Sequence, residues 1–252
     1  MLNNLFSKFN NKNSTSNKNV KILDENEINH ARELLKEATQ LKKLKKFDEA
    51  CDKLKEAYSA KGSEELMTKE RLRLPMYLQL AGKNDEGWKI LNELNITYTD
   101  AFSQLSIVNQ MRIFLQKEKK YKHAVIFDAW CICKGIECDR FNIHNSISMT
   151  DEMVKFGKEF DYNLDEIGKN DEVYGYTPNG NPIFNKLYKI SCEQMEKGMS
   201  LDGVKNSLLS ALKKAKLDNN IDKIAKDFSL YLKESNHYNF NEVRDYFNKI
   251  FE

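Results

Sequence analysis

At 252 residues, with 40% hydrophobic and 31% charged residues, the chain is long enough to bury one large core or two small ones. No run of about 18 apolar residues occurs, which excludes a membrane-spanning helix, and 40 basic against 38 acidic residues leave a net charge of +2 that demands no nucleic-acid partner. Three prolines and ten glycines suit helices and argue against a many-turned β-sandwich.

The N-terminus, MLNNLFSKFNNKN, lacks the long apolar core and small-residue cleavage site of a secretory signal. Residues 1–22 are expected to be disordered, because residues 8–20 are Asn, Lys and Ser with almost nothing to bury. Leu2, Leu5 and Phe6 supply one apolar turn, to dock on the body or touch a membrane surface, but a single turn is too short to persist alone. Order begins at Asp24, which with Glu27 has the spacing of a capping box. Ile28, Ala31, Leu34, Leu35, Ala38, Leu41 and Leu44 then keep a helical period, and Phe47, Ala50, Leu54 and Ala57 continue it after the polar break at Lys45 and Lys46. This predicts two antiparallel helices.

The pattern returns twice. Ser63 can cap a helix running to about Leu80, with Pro75 kinking it or marking its true start; Ala81-Gly82 ends it, and Asp85 to Leu94 forms its partner. Asp100 can cap a third first helix, followed by Tyr121 to about Cys133, with Gly135 as its stop. The three hairpins align without gaps at a step of 37 residues: Leu41, Leu78 and Leu115 correspond, then Phe47, Asn84 and Tyr121, then Ala50, Gly87 and Ala124, then Leu54, Leu91 and Asp128, and Ala57, Leu94 and Cys131. Small residues recur where two helices cross closely and large ones where they fill the groove.

These residues resemble the tetratricopeptide repeat, a helix-turn-helix unit of about 34 residues in its common form. The resemblance covers residues 25–135, rests on Ala38, Leu41, Phe47, Ala50, Leu54 and Ala57 in the first unit, on Leu78 to Leu94 in the second and on Leu115, Tyr121 and Ala124 in the third, and departs from the pattern at Glu37, Pro75, Asn84 and Asp128. It implies an all-α superhelix whose first helices line a concave groove. The groove positions carried over are Arg32, Leu35, Lys36, Thr39, Lys42 and Lys43; then Lys69, Leu72, Arg73, Met76, Gln79 and Leu80; then Ser106, Asn109, Gln110, Ile113, Gln116 and Lys117. A subset of the family grips a C-terminal carboxylate with Lys and Asn, but Leu35 and Thr39 stand at two of those positions, so the implied mode is a different one. Amides that bond a peptide backbone and basic residues that meet acidic groups suit an extended peptide.

Residues 136–252 are expected to be helical. Met149 to about Ile167 reads as a helix that caps the array, capped itself by Ser148 or Thr150. VYGYTPNGNPIF, residues 173–184, carries the turn signal Asn179-Gly180 and predicts a short β-hairpin. A helix starting near Ile183 follows, then three with apolar faces Val204-Leu208-Leu209-Leu212, Ile221-Ile224-Phe228-Leu232 and Val243-Tyr246-Phe247-Ile250. They either extend the solenoid or form a separate bundle. Lys213, Lys214 and Lys216, diluted by Asp218, Asp222 and Asp227, read as a solvated helix end.

No Gly-rich phosphate loop, GxSxG elbow or HExxH pair occurs, and His30, His123, His144 and His237 lie far apart in sequence. Cys131-x-Cys133-x4-Cys138, between His123 and His144, is the nearest approach to a ligand set, but zinc sites usually place two or more residues between paired cysteines. Cys51, Cys131, Cys133, Cys138 and Cys192 are an odd number in a chain that can stand without cross-links, which predicts reduced thiols and a cytoplasmic setting. No cofactor, metal or catalytic residue is expected. The sequence therefore points to a non-catalytic scaffold or adaptor for a protein or peptide, an acidic one suiting the basic face. The alternative is a regulatory protein whose C-terminal helices bind nucleic acid with the repeats as sensor; an enzyme using the 174–184 loop comes third.

Overall fold

A computed structural model of the chain describes residues 25–159 and 172–252, and of residues 25–27 and 157–159 the backbone only. The N-terminal segment, the Asp24–Glu27 cap and the positions Phe160 and Leu164 lie outside the described residues. Those described are helical apart from short connections and one two-stranded antiparallel hairpin. The chain divides into two compact units, one ending at Leu66 and one beginning at Met67.

The first unit holds α1 (Glu25–Lys43) and α2 (Phe47–Ser59). Ala31, Leu34, Leu35 and Ala38 of α1 and Ala50, Cys51, Leu54 and Ala57 of α2 are buried at the spacing of one helix face. Leu44, read as the last apolar residue of that face, is 68% exposed. It falls in the turn, past the end of α1, where the helical period no longer carries a side chain to the core.

Ser63 does not start a helix to Leu80: residues Ser63–Glu65 form a 3-10 turn that belongs to the first unit, and the second unit begins with two short pieces, a single helical turn at Thr68–Arg71 and α3 over Arg73–Leu80. Pro75 has no N–H and its ring clashes with the carbonyl four residues back, so the chain must break between the two pieces. The single turn is started by Met67, whose N–H donates to Glu70 Oε2 at 2.9 Å. α4 (Asn84–Thr97), α5 (Ala101–Lys117) and α6 (Tyr121–Glu159) follow, α5 being capped by Asp100 as expected, with Ser103 N–H donating to its Oδ1 at 2.9 Å.

The three hairpin turns have one geometry. The second helices start at Phe47, Asn84 and Tyr121, and two residues before each start stands a left-handed residue, Lys45, Gly82 and Lys119, all in steps of 37 residues. In each, the N–H one residue later donates back to Leu41 O (3.0 Å), Leu78 O (2.8 Å) or Leu115 O (2.9 Å). This six-to-one bond is a Schellman closure, which satisfies a carbonyl the helix end leaves free. The register is therefore carried by the backbone as well as by the side chains.

α6 corrects the expected stop at Gly135. It is continuous for 39 residues and takes in both the predicted third-hairpin helix and the start of the predicted capping helix. A helical Gly costs about 1 kcal/mol relative to Ala, and α6 regains far more, since Val125, Ile126, Ala129, Trp130, Cys133 and Ile136 enter the largest core cluster. It packs against α5, α7 (Lys186–Met199), α8 (Leu201–Ala215) and α10 (Phe240–Phe251). That cluster takes Val204, Leu208 and Leu212 from α8, Ile221, Ile224, Phe228 and Leu232 from α9 (Ile221–Glu234), and Val243 and Phe247 from α10, the faces read from the sequence. A smaller cluster, Leu72, Leu91, Ile107, Met111 and Phe114, joins α4 and α5 with the residue ahead of α3.

The hairpin expected near 173–184 is present: β1 (Gly175–Tyr176) pairs antiparallel with β2 (Pro182–Ile183). Gly180 is left-handed, and its N–H donates to Thr177 O at 2.9 Å. Pro and Asn at the centre with a left-handed Gly behind them are the residues this turn requires.

Candidate partner-binding face

In the first unit, Arg32, Lys36 and Lys43 lie exposed on α1. Lys36 pairs with Glu33 at 2.6 Å, and the Thr39 hydroxyl donates to Leu35 O at 2.9 Å. Leu35 is 2% exposed and belongs to the core, not to the face. What remains is a basic, solvated strip on one helix.

In the second unit Lys69 is exposed on the single turn, and Arg73, Met76 and Gln79 are half-buried along α3. On α5, Asn109 is exposed and Gln110, Ile113 and Gln116 are half-buried. Leu72 is 8% exposed and packs in the smaller core. Gln79 Nε2 donates to Phe114 O at 3.2 Å, which ties α3 to α5 one residue beyond Ile113. The structure thus joins α3 to α5 through Gln79. Two atoms there are enclosed without a hydrogen-bond partner among the described residues: the acceptor Gln79 Oε1 and the donor Gln110 Nε2. Asn109 is committed differently, its Oδ1 accepting from Arg112 Nε and Nη2 at 3.0 and 2.8 Å.

Arg112 leads to a pair the sequence reading passed over. Its guanidinium meets Asp128 Oδ1 at 3.2 Å, while Oδ2 is enclosed without a hydrogen-bond partner among the described residues. Burial pushes the Asp128 carboxyl up to about 6, against the downward pull of Arg112 and Lys214. The signal was present as a departure from register, because Asp128 stands where Leu54 and Leu91 stand in the other hairpins.

No family model, characterised protein or solved structure matches this chain. What the site can do rests on its own geometry.

The remaining candidates are bound into the fold. Cys133 and Cys138 are buried and Cys131 is half-buried; burial, then the Asp128 charge, pushes the Cys131 thiol up to about 12, and burial pushes Cys138 up to about 11. Thiols so held are poor nucleophiles at neutral pH. Among the described residues no three His, Cys, Asp or Glu stand close enough to hold a metal ion. The loop of the β-hairpin turns its polar side chains inward: Asp151 of α6 accepts from Thr177 Oγ1 and Asn181 Nδ2 at 2.7 Å each and from Asn179 Nδ2 at 3.0 Å. Lys213 and Lys214 are exposed in the last turn of α8, and Lys216 is its left-handed closing residue, the arrangement of a solvated helix end. No helix among the described residues is long and apolar enough to cross a membrane.

Proposed function

We propose that the protein is a non-catalytic, cytoplasmic scaffold or adaptor of tetratricopeptide-like build, holding an extended peptide or protein segment on the face of its first helices. What supports this reading is that Gln79 Oε1 on α3 and Gln110 Nε2 on α5 are each left without a hydrogen-bond partner among the described residues. One enclosed amide acceptor on α3 and one enclosed amide donor on α5 are the complement of a peptide group. A buried polar atom left without a partner costs roughly 1–3 kcal/mol, so a ligand whose binding turns these amides outward onto its own peptide groups is favoured. Lys69 and Arg73 lie on the same unit and select for acidic residues in that segment.

The test is capture of a partner from lysate of the native host by the full chain. Lys69→Glu with Arg73→Glu is expected to weaken capture on the order of tenfold, as loss and reversal of charge pairs does at interfaces, with the helical circular dichroism unchanged. Arg32→Glu tests the strip of the first unit separately. Undiminished capture by the folded double variant would remove the α3–α5 face from the reading. Titration with random RNA and DNA at low salt separates it from a nucleic-acid-binding role, which requires steep salt dependence.

A further inference from the structure

Between α9 and α10 lies a cleft of about 200 Å³ lined by Asp227, Phe228, Tyr231, Glu242, Val243 and Tyr246. Its chemistry is one-sided. The Tyr246 hydroxyl donates to Asp227 Oδ2 at 3.3 Å and the Tyr231 hydroxyl to Glu242 Oε2 at 3.2 Å. Tyr231 also accepts from Asn239 N–H at 3.2 Å, so its oxygen is held from both sides. Each phenol has a single proton, and both are committed to carboxylates. The side chains lining the cleft therefore offer aromatic surface and acceptor oxygens, and no lysine or arginine is among them. An anion would meet two carboxylates, and a neutral apolar group would pack on the rings but leave both negative charges unanswered. A cation with an apolar shell suits such a lining, because aromatic rings attract positive charge and each carboxylate keeps a second oxygen outside its tyrosine bond. The volume admits roughly six or seven water-sized groups, enough for an alkylammonium end and too little for a folded segment.

We infer that the α9–α10 cleft is a binding site for an alkylammonium group, the head of a small quaternary amine or the end of a partner's lysine side chain. It lies apart from the α3–α5 face, and its failure would leave that reading untouched. The full chain is titrated with choline, with N-acetyl-lysine methylamide, and with the uncharged choline isostere in which carbon replaces the quaternary nitrogen, following the tyrosine ring resonances by NMR. At least one cation is expected to saturate with a Kd on the order of 1 mM, and the isostere to bind about tenfold more weakly or not at all. Tighter binding of choline assigns the site to a small amine; tighter binding of the lysine derivative assigns it to a partner's side chain. Asp227→Asn with Glu242→Gln should bring the cation down to the level of the isostere, with circular dichroism reporting that the variant is folded. Absence of saturation by either cation, equal binding of the isostere, or undiminished binding by the folded double variant overturns the proposal. Should that variant not fold, the comparison of cation with isostere on the unaltered chain decides alone.

Discussion

Three glycines show how far the effect of one methyl group depends on what faces it. A Cβ on Gly203 would lie 1.8 Å from Lys197 O, a backbone atom that cannot swing aside. The joint between α7 and α8 is closed over that glycine, with Gly203 N–H donating to Ser200 Oγ at 3.0 Å and Ser200 Oγ donating to Lys197 O at 2.7 Å. On Gly87 a Cβ would come within 2.8 Å of the Phe114 ring, which is fully buried. This is the close crossing that the small residues Ala50, Gly87 and Ala124 led us to expect. On Gly135 a Cβ meets nothing within 4 Å. Alanine in place of a helical glycine is worth about 1 kcal/mol where space allows, while overpacking costs typically 1–3 kcal/mol. Gly135→Ala should therefore raise stability by about 1 kcal/mol, Gly87→Ala should lose up to about 2 kcal/mol, and Gly203→Ala should lose roughly 3 kcal/mol or more. Urea denaturation of the three variants gives the order directly. A Gly203→Ala protein as stable as the parent would mean that the α7–α8 joint is built differently.

Each helical hairpin on the 37-residue register closes on a left-handed residue, and the turns differ in what that residue costs. Gly82 adopts φ 77° freely, whereas Lys45 and Lys119 hold φ 59° and 60° against the clash of Cβ with the carbonyl oxygen. Lys119→Gly should accordingly raise stability by about 1 kcal/mol, seen as a higher urea midpoint at unchanged slope. A loss would show that the lysine side chain holds the turn in a way its backbone does not reveal. The turns were legible in the sequence because a polar break, a helix end and the start of the next helix all repeat at one spacing. The candidate face residues of α3 and α5 were read in the same way, as positions in that register. Gly135 was misread because a glycine after a periodic run is the ordinary mark of a helix end. Only tertiary packing distinguishes it, since α5, α7, α8 and α10 all gather on α6 and keep it helical past the glycine. The α9–α10 cleft escaped for a related reason: Tyr246 and Phe228 read as core positions, and periodicity does not say that a carboxylate of the neighbouring helix will accept a hydrogen bond from the tyrosine.

For the molecule as a whole, Asp128 couples stability to pH in a direction opposite to that of a salt-bridged carboxylate. It belongs to α6, faces Arg112 of α5, and feels the charge of Lys214 on α8, so its ionisation is shared by the third hairpin and the C-terminal helices. Arg112 favours the charged form, but burial outweighs it, and the carboxyl titrates at about 6 in the folded chain against 3.8 for an unhindered aspartate. Between these values the folded state binds the proton more tightly than the unfolded state. The stabilising contribution of the protonated group is therefore fully present below about pH 4 and is lost as pH rises through about 6. The difference corresponds to up to about 3 kcal/mol. Asp128→Asn places a neutral side chain of the same shape where the protonated acid sits. Relative to the parent, the variant should gain stability steadily from about pH 4 to about pH 7, by up to about 3 kcal/mol. Denaturation of both proteins across that range, taken as a difference, cancels the carboxylates they share. A difference that stays flat with pH, or one that shrinks as pH rises, would mean that Arg112 holds Asp128 as an ordinary ion pair and that burial does not govern it.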